Sequence, residues 1–144
     1  MIGFLFKIQK YMYMAAGILP LTINGNVLLM HENRKGDYFY IDVGGKRENH
    51  DKDEWATAIR EWREETPLPL PSKIKEKLYF KSFNYISFLV EYDEIHLPEG
   101  FIWFPLTQLN TTNLSLHPRI REILCKYLTC PRSLIENSNA VSFR

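Results

Sequence analysis

The chain has 144 residues, of which 45% are hydrophobic and 24% are charged. This length and apolar content suit one domain with a single core. The formal net charge of +1 excludes a general electrostatic attraction to nucleic acid or to membranes, so any such binding would have to be local.

The first part of the chain predicts short strands joined by turns. Residues 1–14 are an apolar leading segment interrupted by lysines, and we expect a strand that covers a sheet edge, with a membrane or partner contact as the alternative. Strands are predicted over residues 15–23, 26–31 and 38–43, and Asn24-Gly25 favours a hairpin turn between the first two. The lack of a signal-peptide pattern predicts a cytoplasmic protein.

A helix rich in acidic residues is predicted over residues 53–65, after the Gly44-Gly45 loop. Asp51 or Asp53 is suitable as its N-terminal cap, and Pro67 ends it. Its apolar stripe consists of Trp55, Ala58, Ile59 and Trp62, and its polar stripe consists of Glu54, Thr57, Glu61, Glu64 and Glu65.

The rest of the chain adds strands and a second helix. Residues 66–72 carry three alternating prolines and are predicted to be an extended connector. Strands are predicted over residues 77–83, 86–92 and 101–104, with a turn at Asn84. A helix is predicted over residues 118–128, with a core face of Ile120, Ile123, Leu124, Tyr127 and Leu128. Residues 131–144 lack periodicity and are predicted to be a loose C-terminal tail.

Three carboxylates of the first helix share one face, because Glu61, Glu64 and Glu65 stand at positions i, i+3 and i+4. Such a cluster repels itself unless a cation binds. Oxygen ligands suit Mg²⁺ or Mn²⁺, and Mg²⁺ usually bridges carboxylates to substrate phosphates. The pattern therefore indicates metal-assisted chemistry on a phosphate or diphosphate. For these charges alone, an ordinary solvated helix face is the alternative.

The segment from Gly45 to Leu68 resembles the Nudix box, G-x5-E-x7-R-E-U-x-E-E-x-G-U, in which U is a bulky apolar residue. The matching residues are Gly45, Arg60, Glu61, Trp62, Glu64, Glu65 and Leu68. Asp51 stands in place of the first Glu, with one extra residue before Arg60, and Pro67 stands in place of the second Gly. The resemblance implies an α/β fold, the αβα sandwich with a mixed β-sheet between helices, over residues 15–130.

The resemblance also implies a Mg²⁺- or Mn²⁺-dependent pyrophosphohydrolase. Glu61, Glu64 and Glu65 would be its metal ligands and catalytic residues, and the Gly45 carbonyl would be a further metal ligand. Arg60 would hold a glutamate in place through a charge-assisted hydrogen bond. Candidates for substrate binding lie just before and inside the box, and they are Arg34, Tyr38, Tyr40, Lys46 and Arg47.

The substrate stays open among family options: nucleoside triphosphates, dinucleoside polyphosphates, nucleotide sugars, ADP-ribose, RNA caps and inositol pyrophosphates. The expected substrate is a nucleoside diphosphate linked to another moiety. A small soluble nucleotide is favoured over an RNA cap, because the short chain lacks room for an additional RNA-binding domain. Trp103 is either a core residue or a stacking platform for a base. Acidic candidates for a catalytic base beyond the box are Glu91, Asp93, Glu94 and Glu99.

Two alternatives to a hydrolase remain. The irregular region around Asp51 favours a Nudix-like module that binds a nucleotide without hydrolysing it. A protein-interaction domain that uses the prolines of residues 67–71 or the apolar N-terminal segment is the weaker possibility. The protein is expected to be a monomer or a homodimer.

Overall fold

The computed structural model describes residues 13–71, 78–82 and 84–129, so most of the predicted leading segment and the predicted tail lie outside the described residues. The strands are β1 (Ala15–Leu21), β2 (Asn26–Arg34), β3 (Asp37–Ile41), β4 (Val43–Lys46), β5 (Leu78–Ser82), β6 (Tyr85–Glu91) and β7 (Phe101–Pro105). The helices are α1 (Glu54–Glu65) and α2 (Pro118–Thr129), and a short 3-10 helix covers Leu106–Gln108.

These strands form one mixed sheet of seven strands, with the order β3-β2-β1-β6-β5, while β4 pairs with β1 and β7 pairs with β2. The central pair, β1 and β6, is parallel, and it places Gly17 opposite Ser87. At the edge of β3, Tyr40 forms a bridge with Leu116. This bridge brings the residues just before α2 to the same end of the sheet as the β3–β4 junction.

The two helices cover opposite faces of the sheet. In β1, Ala16 and Ile18 pack in a cluster with Trp62 of α1. Leu19 packs instead in the cluster that contains Ile123 of α2. Successive residues of a strand point to opposite faces, so the sheet lies between the helices. The predicted fold class, an αβα sandwich with a mixed sheet, is therefore confirmed.

The third predicted strand, residues 38–43, divides at Asp42, and the double glycine that was expected to be a loop belongs to the next strand. Gly44 and Gly45 belong to β4 and pair with Gly17 and Ala16 of β1. The reason is steric, because a Cβ atom on Gly44 would overlap the Tyr85 hydroxyl group and the Ala16 carbonyl. The glycines allow close approach of neighbouring groups inside the sheet rather than a bend out of it.

The β2–β3 hairpin is also longer than the sequence predicts. β2 runs to Arg34, because the polar residues after His31 continue the ladder with β3. Its turn consists of Lys35 and Gly36, whose φ angles are 53° and 90°. Two consecutive positive φ values are typical of the tight turns whose twist matches a hairpin.

Two predicted helix faces need correction. Glu54 and Thr57, assigned to the polar stripe of α1, are 8% and 0% exposed. Thr57 is buried because its hydroxyl donates to Asp51 Oδ2 at 2.9 Å. Leu128 is 51% exposed because it lies at the margin of the α2 stripe, whereas the rest of the predicted core face is buried. Neither described helix has the length and apolar character needed to cross a bilayer.

Candidate functional site

Capping by side chains fixes both ends of α1. Asp53 has extended backbone angles and accepts a hydrogen bond from the Ala56 N–H at 2.8 Å, which satisfies a free donor of the first turn. At the other end, Thr66 is extended, with φ −129°. Its N–H and its hydroxyl both donate to the Trp62 carbonyl, at 3.0 and 2.9 Å. The Thr66 hydroxyl thus satisfies a carbonyl of the last turn, and the extended backbone of Thr66 is the conformation that a following proline favours.

Asp51 organises the loop that leads into α1. Its side chain is 3% exposed. It accepts hydrogen bonds from Arg60 Nε at 3.0 Å, from the Thr57 hydroxyl at 2.9 Å and from the Glu48 N–H at 2.8 Å. The extra residue of this loop therefore does not separate Asp51 from Arg60. Protein donors occupy both carboxylate oxygens, so Asp51 has a positioning role.

We expect Asp51 to make stability depend on acid pH. Burial acts to raise its pKa, but the hydrogen bonds from Arg60, Glu48 and Thr57 prevail and lower the pKa from 3.8 to about 2. The carboxylate thus stabilises the fold above pH 4 by about 2 kcal/mol. This contribution disappears as the pH falls from about 4 to about 2. Urea unfolding at about pH 4 and about pH 2 measures the free energy of unfolding, which should change less with pH for Asp51→Asn than for the wild type. An equal change in the two proteins would contradict this prediction.

Arg60 joins the loop, the sheet and the acidic face of α1. Its Nη1 donates to Glu61 Oε1 and Glu64 Oε2, both at 3.1 Å. Its Nη2 donates to the Lys46 carbonyl of β4 at 2.8 Å. The hydrogen bond with Asp51, and the one with Glu64, raise the pKa of Arg60 well above its ordinary value. Arg60 therefore positions two box glutamates relative to β4.

Glu61 and Glu65 form a pair of adjacent carboxylates. A Cβ atom on Gly45 would lie only 2.5 and 2.6 Å from the two carboxylate oxygens of Glu61, so the missing side chain lets Glu61 reach the sheet. Partial burial, then the charge of Glu61 and a hydrogen bond with it, raise the pKa of Glu65 to about 7. The charges of Glu32 and Asp42 act in the same direction. The two carboxylates thus concentrate negative charge at one place, which favours binding of a proton or a cation there.

The fit to a divalent metal rests on this pair. Within residues 13–71, 78–82 and 84–129, no three Asp, Glu, His or Cys side chains converge on a point that could hold a metal ion. Two of the box carboxylates, Glu61 and Glu64, are bound to Arg60 instead. The donor set still has the right chemistry, because carboxylates and a backbone carbonyl are hard oxygen ligands and the Glu61–Glu65 repulsion would be relieved by Mg²⁺.

A second buried polar cluster was not predicted from the sequence. Asp42 is 1% exposed, at the junction of β3 and β4. It accepts hydrogen bonds from the Tyr85 hydroxyl at 2.9 Å, the Ser87 hydroxyl at 3.2 Å and Arg119 Nη2 at 2.8 Å. The Arg119 guanidinium stacks 3.6 Å above the Tyr85 ring centroid. The available signal was an acidic residue between Ile41 and Val43, in an otherwise apolar run.

The predicted substrate-binding residues fall on two faces of the β2–β3 hairpin. Glu32 pairs with Phe39, and the Arg34 guanidinium lies 5.3 Å from the Phe39 ring centroid. Tyr38 and Tyr40 point to the opposite face, because side chains alternate along β3. There both rings contact His31, with centroid distances of 5.6 and 5.0 Å. The charge of Glu32 reaches Glu65. Phe39 and Tyr40 both pack against the cluster that contains Ile123 of α2.

The other candidates take structural or exposed positions. Lys46 and Arg47 are exposed at the end of β4, and the Arg47 N–H donates to the Met14 carbonyl at 2.9 Å. Trp103 packs beside Tyr92 and donates to the Ile95 carbonyl at 2.9 Å, which favours a core role. Glu94 accepts a hydrogen bond from the Asn26 side chain. Glu91, Asp93 and Glu99 are exposed.

Solved structures show a clear likeness. A Nudix hydrolase from M. smegmatis, RenU, superposes with a TM-score of 0.63 at 18% identity, covering 90% of each chain. A C. elegans Ap4A hydrolase gives 0.55 at 20% identity, covering 79% of this chain and 93% of its own. The NUDIX domain of Shewanella oneidensis NrtR, solved with ADP-ribose, gives 0.53 at 18% identity, covering 81% and 88%. No protein-family model and no curated protein matches the chain.

Proposed function

From the Nudix fold, which the chain shares with these structures, we propose that the protein is a Mg²⁺-dependent hydrolase. Its proposed substrate is a nucleoside diphosphate linked to another moiety, and the bond cleaved is the diphosphate linkage. The observation that carries the proposal is the Glu61–Glu65 pair: the two carboxylates interact on α1, and that of Glu61 lies against Gly45. The box resemblance and the fold, which rest on different evidence, both support a hydrolase of diphosphate compounds.

Each box residue then has a separate task. Glu61, Glu64 and Glu65, together with the Gly45 carbonyl, would hold Mg²⁺ or Mn²⁺, which supplies charge neutralisation and an activated water when bound. Arg60 positions Glu61 and Glu64 through its Nη1. Asp51 orients Arg60 from the buried side. The task of the loop is therefore to keep the acidic face of α1 next to β4.

The ligands of two similar proteins support a nucleotide as the substrate. One is an Ap4A hydrolase, and another was solved with ADP-ribose. A second candidate function is a nucleotide-binding module without turnover. It is favoured by the salt bridges that Arg60 makes with Glu61 and Glu64, because a metal would have to compete with Arg60 for these carboxylates.

The test is a screen of phosphate release from a nucleotide library, with Mg²⁺ and with Mn²⁺. We expect hydrolysis of at least one dinucleotide or nucleoside diphosphate derivative, its loss on chelation after metal-free preparation, and its recovery with excess Mg²⁺. Full activity in chelator would contradict the metal-dependent reaction. Tight binding of a nucleotide with no product from any member would select the binding module instead.

Gly45→Ala tests the approach of Glu61 to the sheet. The φ angle of Gly45 is not in the left-handed region, so alanine should be accepted by the backbone. The new Cβ atom would displace the Glu61 carboxylate, and we expect the turnover rate to fall at least about tenfold, or about 1.4 kcal/mol of barrier. Initial rates at saturating substrate measure this, and circular dichroism checks the fold. Unchanged turnover would show that Glu61 does not need this contact.

A further inference from the structure

Two sides of the Arg60 guanidinium have different partners. Its Nε and Nη2 donate to the two carboxylate oxygens of Asp51, each at 3.0 Å, and Nη2 also donates to the Lys46 carbonyl at 2.8 Å. A bidentate pair of this kind fixes the plane of a guanidinium as well as its position. The Asp51 side of the group is therefore anchored to the loop and to β4, and the third nitrogen, Nη1, faces the acidic side of α1.

Three carboxylate groups converge on Nη1. Glu61 Oε1 and Glu64 Oε2 each lie 3.1 Å from this nitrogen, and Glu48 Oε1 lies 3.3 Å from it. Nη1 donates hydrogen bonds to Glu61 and to Glu64, whereas Glu48 adds an ion pair from the loop. One nitrogen of Arg60 thus supplies the positive charge around which these three carboxylates are arranged.

This positive charge is permanent and fixed in place. A guanidinium does not lose its proton in proteins, so Arg60 cannot become neutral as a lysine can. A divalent ion bound by Glu61 and Glu64 would use the carboxylate groups that now accept hydrogen bonds from Nη1. It would also lie close to a cation that Asp51 prevents from moving away, and like charges at short range repel. The contacts that orient these glutamates therefore also oppose binding of a metal ion.

We propose that Arg60 is a built-in competitor for the proposed metal site, which lowers the affinity of Glu61 and Glu64 for a divalent ion. Metal binding is then an exchange of partners at these two carboxylates. Glu48 is placed to keep Nη1 paired after the exchange, because it already lies beside the same nitrogen. The affinity of the site is thus set by the Asp51 loop as well as by the ligands. This inference rests on the proposed metal-dependent function.

Binding of Mn²⁺ without any nucleotide provides the test. After metal-free preparation, the electron paramagnetic resonance of free Mn²⁺ gives the Kd for the wild type, for Asp51→Asn/Arg60→Met and for Arg60→Lys. The double variant removes one negative and one positive charge, so the net charge is unchanged and no buried charge is left without a partner. Arg60→Lys keeps a cation beside Asp51 but lacks the fork that also reaches the glutamates. The control is Arg63→Met, an exposed arginine of α1.

We expect the double variant to bind Mn²⁺ at least about tenfold more tightly than the wild type, because two charge-assisted hydrogen bonds no longer compete for the carboxylates. Arg60→Lys should shift the Kd in the same direction, and Arg63→Met should stay close to the wild-type value. An arginine that only oriented its glutamates would give the opposite sign, since its loss would weaken metal binding. Adding Glu65→Gln to the double variant should remove the gain, because a proposed ligand is lost.

Circular dichroism checks that each variant is folded, and Arg60→Lys carries the test if the double variant is not. Equal or weaker Mn²⁺ binding by a folded Arg60 variant would overturn the inference. So would a gain that survives Glu65→Gln, since the ion would then lie elsewhere. A lack of Mn²⁺ binding by the wild type and by every variant would defeat the proposed metal-dependent function itself. Tighter binding in the variants without hydrolysis of any nucleotide would defeat only the proposed hydrolase.

Discussion

Replacing Glu65 with glutamine is expected to reduce kcat at least about a hundredfold while the protein stays folded, because a metal-binding charge worth several kcal/mol is lost. Glutamine keeps the shape of the side chain. The charge of Glu61 and the more distant charges of Glu32 and Asp42 already oppose ionisation of Glu65. Removing the Glu65 charge should therefore relieve repulsion, and the melting temperature should not fall. Turnover is measured on the nucleotide that the wild type hydrolyses fastest.

The matched control for this experiment is Glu122→Gln. Glu122 is exposed on α2, where its carboxylate pairs with Lys126 at 2.8 Å. The same chemical change there should leave turnover close to the wild-type value, since an exposed pair of this kind contributes little. If Glu65→Gln retained near-normal turnover on a confirmed substrate, Glu65 would not be a metal ligand and the match to the box would not extend to function.

Replacing Arg60 with methionine is expected to lower the free energy of unfolding by about 3–5 kcal/mol, because the change leaves a buried charge without its partner. Asp51 is 3% exposed and receives hydrogen bonds from both Nε and Nη2 of Arg60. Methionine fills a similar length of apolar space, so the loss reports on charge and hydrogen bonding. Urea unfolding at pH 7 provides the measurement.

Two further variants separate this mechanism from a general loss of packing. Asp51→Asn/Arg60→Met removes both charges, so it should be more stable than Arg60→Met alone. Arg63→Met makes the same substitution at an exposed position of the last turn of α1, and it should be nearly neutral. If Arg60→Met were as stable as the wild type, the Asp51–Arg60 pair could not be what holds the loop against α1.

Local patterns in the sequence predicted most of the fold. The strand and helix positions follow from periodicity and from turn residues, and the box glutamates share one helix, so their spacing alone placed them on one face. The sequence did not predict the end of β2, because Glu32, Asn33 and Arg34 are polar and resemble a loop. They nevertheless pair with β3. Burial of Thr57 was missed for a related reason, since its partner, Asp51, lies outside the helix.

The buried cluster around Asp42 depends on contacts between distant parts of the chain. Asp42 and Arg119 are separated by 77 positions, and only the return of α2 to the edge of β3 brings them together. The periodicity of apolar residues along the sequence cannot predict a contact between residues so far apart. Tyr38 and Tyr40 illustrate the opposite difficulty. Their spacing correctly puts them on one face of a strand, but the direction in which that face points depends on the cross-strand register, which pairs Tyr40 with His31 and Tyr38 with Asn33.

The end of α1 makes position 67 insensitive to a single exchange for glycine. A glycine after a helix commonly adopts a left-handed conformation that proline cannot adopt, since its ring fixes φ near −65°. Here Thr66 turns the chain into an extended path, and Trp62 Nε1 donates to the carbonyls of Leu68 and Pro69. Exchanging Pro67 for glycine would therefore not by itself produce a left-handed exit, because these contacts still hold the chain in its extended path.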